Sequence, residues 1–198
     1  MDYRVYHGIN RFVVHHDWLG RGLNTFETWA VPVLAVATVA LWLLARPGGQ
    51  RKWKLASACA LASAGLGLLI NQFIAKVIWD RARPFDTHPS AHVWGAKSHD
   101  PSFPSDHASA SFGIAFAVFL FDRVAGGIFL AAAVVISAGR VFVGEHYPLD
   151  VIAGCLVGLA AALLVVKVAR PVISWLVRLV ERVTDPVLAP LWRVRASR

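Results

Sequence analysis

Charge is scarce in this chain. Asp, Glu, Lys and Arg make up 16% of its 198 residues, against roughly 25% in ordinary soluble domains. Acids are the rarer sign, 12 against 20 Lys and Arg, and the formal net charge is +8. Cysteine is nearly absent. Cys59 and Cys155 both sit inside apolar runs, so they read as small buried hydrophobes rather than a disulfide framework or a metal site. No internal repeat and no low-complexity tract is present. Residues 1–20 include Asp2, His15, His16 and Asp17 and lack a continuous apolar core, unlike a secretory signal.

What remains is apolar. Hydrophobic residues reach 57% and the mean hydropathy is +0.54, which excludes a disordered chain and points away from a soluble domain. Residues 28–45 and 55–75 are uncharged and long enough to cross a bilayer. Three further runs, 108–121, 124–139 and 151–166, reach that length only with polar neighbours: Ser105, Asp106 and His107, then Arg140, then Asp150. Ionisable groups at the edge of a span are costly, and their default reading is functional. The expected fold is all-α: one domain over residues 1–198, with a membrane bundle of about five transmembrane helices. Val5, Ile9, Phe12 and Val13 recur at helical spacing and predict a short N-terminal interfacial helix. From Pro171 onward, apolar residues alternate with Arg178, Arg182, Arg193 and Arg195. This predicts a basic amphipathic tail on the inner leaflet rather than a sixth span. Gly154, Gly158 and Ala162 form one small-residue stripe, and Ser63 with Gly67 another.

Five spans divide the loops between two sides. Residues 46–54, Arg123 and everything from Lys167 onward hold 12 of the 20 Lys and Arg, with Asp122, Glu181 and Asp185 the only acids. By the positive-inside rule that side is cytoplasmic. The opposite side carries all eight histidines and faces the periplasm or exterior.

Three polar segments fall on the histidine side. They are Lys76 to Pro84 after the second span, Pro104 to His107 before the third, and Gly139 to Asp150 between the fourth and fifth. Lys76, Arg83 and Arg140 offer three cations to one anion. Ser105, Asp106 and the N–H groups behind them sit at a helix start, a natural anion seat. His107 and His146 are candidate acid, base or nucleophile. Asp150, four residues after His146, is placed to fix its tautomer. Taken singly, each has a plainer role. Lys76 can snorkel, Arg140 can face a helix dipole, and Ser105, Asp106 and Asp150 can cap helices. Their convergence on one face points to phosphoryl transfer through histidine.

The sequence resembles the type 2 phosphatidic-acid phosphatases, a family of membrane lipid phosphatases with three motifs. Lys-x6-Arg-Pro is met by Lys76, Arg83 and Pro84. Pro-Ser-Gly-His is met by Pro104, Ser105 and His107, with Asp106 in place of Gly. Ser-Arg-x5-His-x3-Asp is met by Arg140, His146 and Asp150, with Gly139 in place of Ser. The motif core runs over about residues 55–168, with 171–198 as the tail. The Ser-Phe-Pro-Ser-Asp-His phrase at 102–107 is similar to the bacterial undecaprenyl-diphosphate phosphatase branch.

The resemblance implies roles. His146 is the nucleophile, Asp150 orients it, and His107 protonates the leaving group and then activates water. Lys76, Arg83, Ser105, the Asp106 backbone and Arg140 hold phosphate. No metal or other cofactor is implied. His88, His92 and His99, with Asp86 and Asp100, lack a specific metal spacing. They belong to a polar loop, residues 79–103, expected to form a lid or headgroup wall. The implied reaction is hydrolysis of undecaprenyl diphosphate to the monophosphate and inorganic phosphate, recycling a cell-wall lipid carrier. The substrate enters from the bilayer, and oligomeric state is not legible. The same residues would serve a phosphatidylglycerophosphate or phosphatidate phosphatase, a lipid phosphotransferase, or a non-catalytic anion-binding membrane protein.

Overall fold

Helix propensity and apolar length leave the chain one economical arrangement in lipid, since only helices satisfy every backbone group within a single span. A computed structural model describes residues 2–45 and 51–196, with side chains through Pro190. No strand occurs among the described residues. The helices are α1 (Asp2–Val14), α2 (Asp17–Leu44), α3 (Arg51–Val77), α4 (Pro84–Thr87), α5 (Asp106–Phe121), α6 (Arg123–Phe142), α7 (Pro148–Leu164) and α8 (Arg170–Ala196). A π-helical stretch, Val165–Ala169, joins α7 to α8 without a break.

Four helical stretches are long and apolar enough to span a membrane: α2, α3, α6 and the continuous run from α7 to Pro190. The fifth expected span, α5, is apolar but has only 16 residues. That is about 24 Å of helix, short of a roughly 30 Å hydrocarbon core. α5 also packs against α3, α6 and α7 at once. Its residues from Ala108 to Ala115 are buried on every side, as expected for a helix with no polar face. The short central helix therefore places its polar N-terminus inside the bundle.

Close approach around α5 depends on the two small-residue stripes. A Cβ at Gly158 would lie 2.7 Å from the Gly113 amide nitrogen, and one at Gly67 would lie 3.4 Å from the Ser109 carbonyl. α7 and α3 thus meet α5 nearly backbone to backbone.

Three details sharpen the expected arrangement. α2 starts at Asp17, eleven residues before the apolar run at 28, and carries Glu27 into the interior at 2% exposure. The buried face of α1 is Tyr6, Asn10 and Val13, while Val5 and Phe12 are exposed. Tyr6 packs with Val141 and Tyr147, and Asn10 hydrogen-bonds the His92 backbone. The C-terminal segment is an amphipathic helix, α8, joined to the last span through the π-helical stretch. Ile173 and Val177 join the core, and α8 is tied to α3 by Lys54, 2.5 Å from Asp185 and 3.5 Å from Glu181. The expected basic residues Arg46, Arg193 and Arg195 lie outside what the structure describes at side-chain level.

Candidate active site

Three segments meet where α3 and α6 end and α5 and α7 begin. Ser105 is the N-cap of α5, its Oγ accepting from the Ala108 N–H at 3.5 Å. Its own N–H donates to the Asp150 carbonyl at 3.0 Å, so the starts of α5 and α7 are joined. Beyond α6 the chain reverses at Gly144, whose φ of 90° favours glycine. The turn sends Glu145 and His146 inward, where both are buried.

His146 is held at one nitrogen. Nδ1 lies 2.8 Å from the Ser102 carbonyl oxygen, an acceptor only, so Nδ1 carries the proton and Nε2 the lone pair. Asp150 is close but not in contact, its Oδ2 3.8 Å from Nδ1. This refines the expected His–Asp pair: the loop backbone orients the ring and Asp150 supports it from behind. Asp150 is fully buried and densely bonded. It accepts from Arg81 Nη1 at 2.5 Å, Ser102 Oγ at 2.6 Å and the Tyr147 N–H at 2.9 Å. Burial pushes the His146 pKa down to about 4, with Arg140 and Arg83 adding to the shift and Asp150 opposing it. The imidazole is therefore neutral at pH 7.

Arg83, Asp106, His107, Arg140, Glu145 and His146 line a polar cavity of about 280 Å³. Its remaining wall is Ala96, Ser98, Asp100 and Pro101 from the 79–103 loop. That loop is anchored by Trp94 N–H to the Val143 carbonyl at 2.9 Å and closed on itself by Ser102 N–H to the Arg81 carbonyl at 2.7 Å. Arg83 donates to the Asp100 carbonyl at 2.8 Å and to Glu145 Oε2 at 2.5 Å. Arg140 Nη2 stands 3.7 Å from the same Glu145 oxygen. The Asp106 carboxylate engages an amide rather than a cation, accepting from Asn71 Nδ2 at 2.7 Å.

Not every expected residue reaches the cavity. Lys76, expected to hold phosphate, is exposed on the last turn of α3 and is not among the lining residues. Ser105 is buried but acts as a cap rather than as a wall. The sequence reading missed Arg81, which bridges Asp150 and Asp2 at 2.5 and 2.7 Å, and it also missed Asn71, Ser102, Glu145 and Glu27. Arg81 and Glu145 occupy variable positions inside two of the motifs, so no motif marks them. A carboxylate beside His146 in an anion site was the one available signal. Among the described residues no three His, Cys, Asp or Glu side chains converge as a metal site.

Residues 51–173 match the PAP2 superfamily. The chain belongs to that superfamily. It is a multi-pass membrane protein and a lipid phosphatase, a hydrolase acting on lipid phosphates. Among its relatives is undecaprenyl-diphosphatase BcrC of Bacillus subtilis, 26% identical over 188 residues that cover 93% of this chain and 94% of the relative. The putative undecaprenyl-diphosphatase YbjG of Escherichia coli is 34% identical over 134 residues, 67% of this chain and 63% of that one. In fold the chain is similar to Aquifex aeolicus LpxE, with a TM-score of 0.64 at 22% identity over 83% of this chain and 94% of that one. The PAP2 match runs from α3 into α8 and includes every residue lining the cavity, whereas α1 and α2 lie before it.

Proposed function

We propose that this PAP2 phosphatase hydrolyses undecaprenyl diphosphate to undecaprenyl phosphate and inorganic phosphate, on the exterior face of a bacterial membrane. The observation that carries the chemistry is the buried His146 ring, neutral and fixed through Nδ1 to the Ser102 carbonyl, beside a cavity flanked by two arginines. The His146 Nε2 lone pair attacks the terminal phosphorus. The bond from that phosphorus to the bridging oxygen breaks, and the lipid monophosphate leaves with a proton from His107. The charge of the bound diphosphate raises the proton affinity of His107, which makes it a competent acid. Water then attacks the phosphohistidine, giving its proton to His107 and releasing phosphate and neutral His146. Arg83 and Arg140 stabilise the charge that develops on the transferring group. The N–H groups at the start of α5, capped by Ser105, add donors, and Asp150 stabilises the orientation of His146. Lys76 is left out of this resting arrangement.

The prenyl substrate is supported by the names of two relatives, BcrC and YbjG. It is supported too by an apolar groove of about 710 Å³ between α2 and α6. Ile136 lines that groove one helical turn from Arg140 of the polar cavity, so a tail and its headgroup fit in sequence. The exterior orientation is supported by the basic residues at the opposite end: Arg51, Lys52, Lys54, Arg123, Lys167 and Arg170.

The test is phosphate release by the purified protein in detergent and excess EDTA. Undecaprenyl diphosphate, phosphatidylglycerophosphate and phosphatidate are compared, with His146→Ala as the blank. Release from the prenyl diphosphate well above the glycerolipids is expected. Preference for a glycerolipid would overturn the substrate, and loss of activity in EDTA would overturn the metal-free mechanism.

A further inference from the structure

One buried acid has no part in the chemistry above. Glu27, in the membrane-spanning α2, is 2% exposed. Neither of its carboxylate oxygens has a hydrogen-bond partner among the described residues. A buried carboxylate without a partner is costly, and at the edge of a span its default reading is functional. Gly20, Asn24 and Glu27 form one stripe on α2: Gly20 lies under the Trp94 indole, Asn24 meets Gly95, and Glu27 meets Gly139. The stripe therefore faces the loop and helix end that wall the polar cavity.

The contact with Gly139 is specific. A Cβ there would overlap Glu27 Oε1, so glycine at this position makes the room that the carboxylate fills. The next residue is Arg140, whose Nε is also buried without a partner among the described residues. Ser137 Oγ, one turn back on α6, shares that condition. An acceptor and a charged donor thus lie unsatisfied on neighbouring residues where α2 meets the end of α6, beside the cavity that Arg140 lines. Arg140 is meanwhile held only loosely at its front, 3.7 Å from a Glu145 oxygen that Arg83 holds at 2.5 Å.

We propose that Glu27 is a positioning residue of this site: its carboxylate holds the Arg140 guanidinium from behind, through Nε, while the terminal nitrogens turn to the substrate phosphate. The proposal rests on the phosphoryl-transfer reading above. A guanidinium has donors on separate edges, so one edge can be anchored while the other grips phosphate in a fork. In the resting site Arg140 Nη2 nears Glu145 at 3.7 Å, while its Nε and the Glu27 carboxylate both stand without a partner among the described residues. Phosphate displaces the Glu145 contact and draws the two unpaired groups together. α2 thereby supplies a side chain to a site whose other members all come from the span shared with the superfamily.

The test uses the full-length protein in detergent, with vanadate as the probe alongside turnover of undecaprenyl diphosphate. Glu27→Gln should remain folded and lose about tenfold or more in both kcat and vanadate affinity, with a smaller change in KM. Glu27→Asp should restore part of the loss. Gly139→Ala should reproduce it by displacing the carboxylate, and Glu27→Gln/Gly139→Ala should be no worse than the single variants. Wild-type kcat and vanadate affinity in Glu27→Gln would overturn the proposal, as would losses that simply add in the double variant. If Glu27→Gln fails to fold, Glu27→Asp and Gly139→Ala read the same coupling. A wild type that binds vanadate but ignores the prenyl diphosphate removes the substrate assignment and leaves the Glu27 comparison readable in vanadate affinity. A wild type that binds no vanadate overturns both.

Discussion

The protonation state of His146 is set by its surroundings rather than by its sequence neighbours. A free imidazole would be half protonated near 6.5, and burial lowers this one to about 4. With His146 as the proposed nucleophile, protonation at Nε2 removes its lone pair, so the acid limb of kcat/KM for the free enzyme should fall near pH 4 instead of near 6.5. A pH–rate profile from 4 to 8 checks this, and a midpoint at 6.5 would contradict the buried, neutral nucleophile. The folding linkage has the same origin. The unfolded state takes up a proton near 6.5 and the folded state only near 4, so stability falls as pH drops through that window.

Arg81 carries a second prediction at this scale. It holds Asp150 at 2.5 Å and lies over the Tyr147 ring, 3.9 Å from its centroid. Removing it leaves a fully buried carboxylate without its cation, which typically costs about 3–5 kcal/mol. The Ser102 and Tyr147 donors that remain place the expected loss at the lower end. Arg81→Ala should lower the thermal midpoint and kcat together, while Asp2→Asn should do much less. Tryptophan fluorescence during heating, with initial rates, would measure both.

At the scale of elements, helix contacts decide how deep the site sits. α5 and α7 approach so closely that Gly158 has no room for a side chain. Gly158→Ala must move backbone, with an expected cost of about 1–3 kcal/mol, read as a lower thermal midpoint and reduced activity. α1 is attached differently. Asn10 accepts from the His92 N–H at 2.9 Å and donates to the His92 carbonyl at 2.7 Å, and Tyr3 stacks on His88 with ring centroids 3.6 Å apart. Asn10→Ala leaves both His92 backbone groups unpaired, about 1–3 kcal/mol of local stability. Hydrogen exchange should accelerate around residues 90–95 with little change in the global midpoint. A uniform acceleration would mean that α1 is part of the core rather than a strap.

At the scale of the whole molecule, the charge distribution predicts orientation. The cavity lies at one end, and the ionic contacts of Arg51, Lys52 and Lys54 with Glu181, Asp122 and Asp185 lie at the other. In a background with Cys59 and Cys155 replaced by alanine, Lys97→Cys should react with an impermeant maleimide on intact cells. Arg182→Cys should react only after permeabilisation. The reverse pattern would place the active site on the cytoplasmic side.

Apolar run length fixed the helical membrane class from the sequence alone, because a span must hide its whole backbone from lipid. The motif spacing of Lys76, Arg83, Ser105, His107, Arg140, His146 and Asp150 carried the family resemblance, and its intervals straddle the helix ends that bring Arg83, His107, Arg140 and His146 to one cavity. Helix rotation and depth decided the rest, and neither is encoded in any short window. They turned Lys76 outward and brought Arg81 onto Asp150. They gave His146 a backbone carbonyl from a loop 44 residues away. They also carried Glu27, a charged residue just ahead of an apolar run, against Gly139 at the end of α6. Contacts between distant segments depend on which faces pack together, and the packing of α5 among its neighbours settles that only once all the helices are in place.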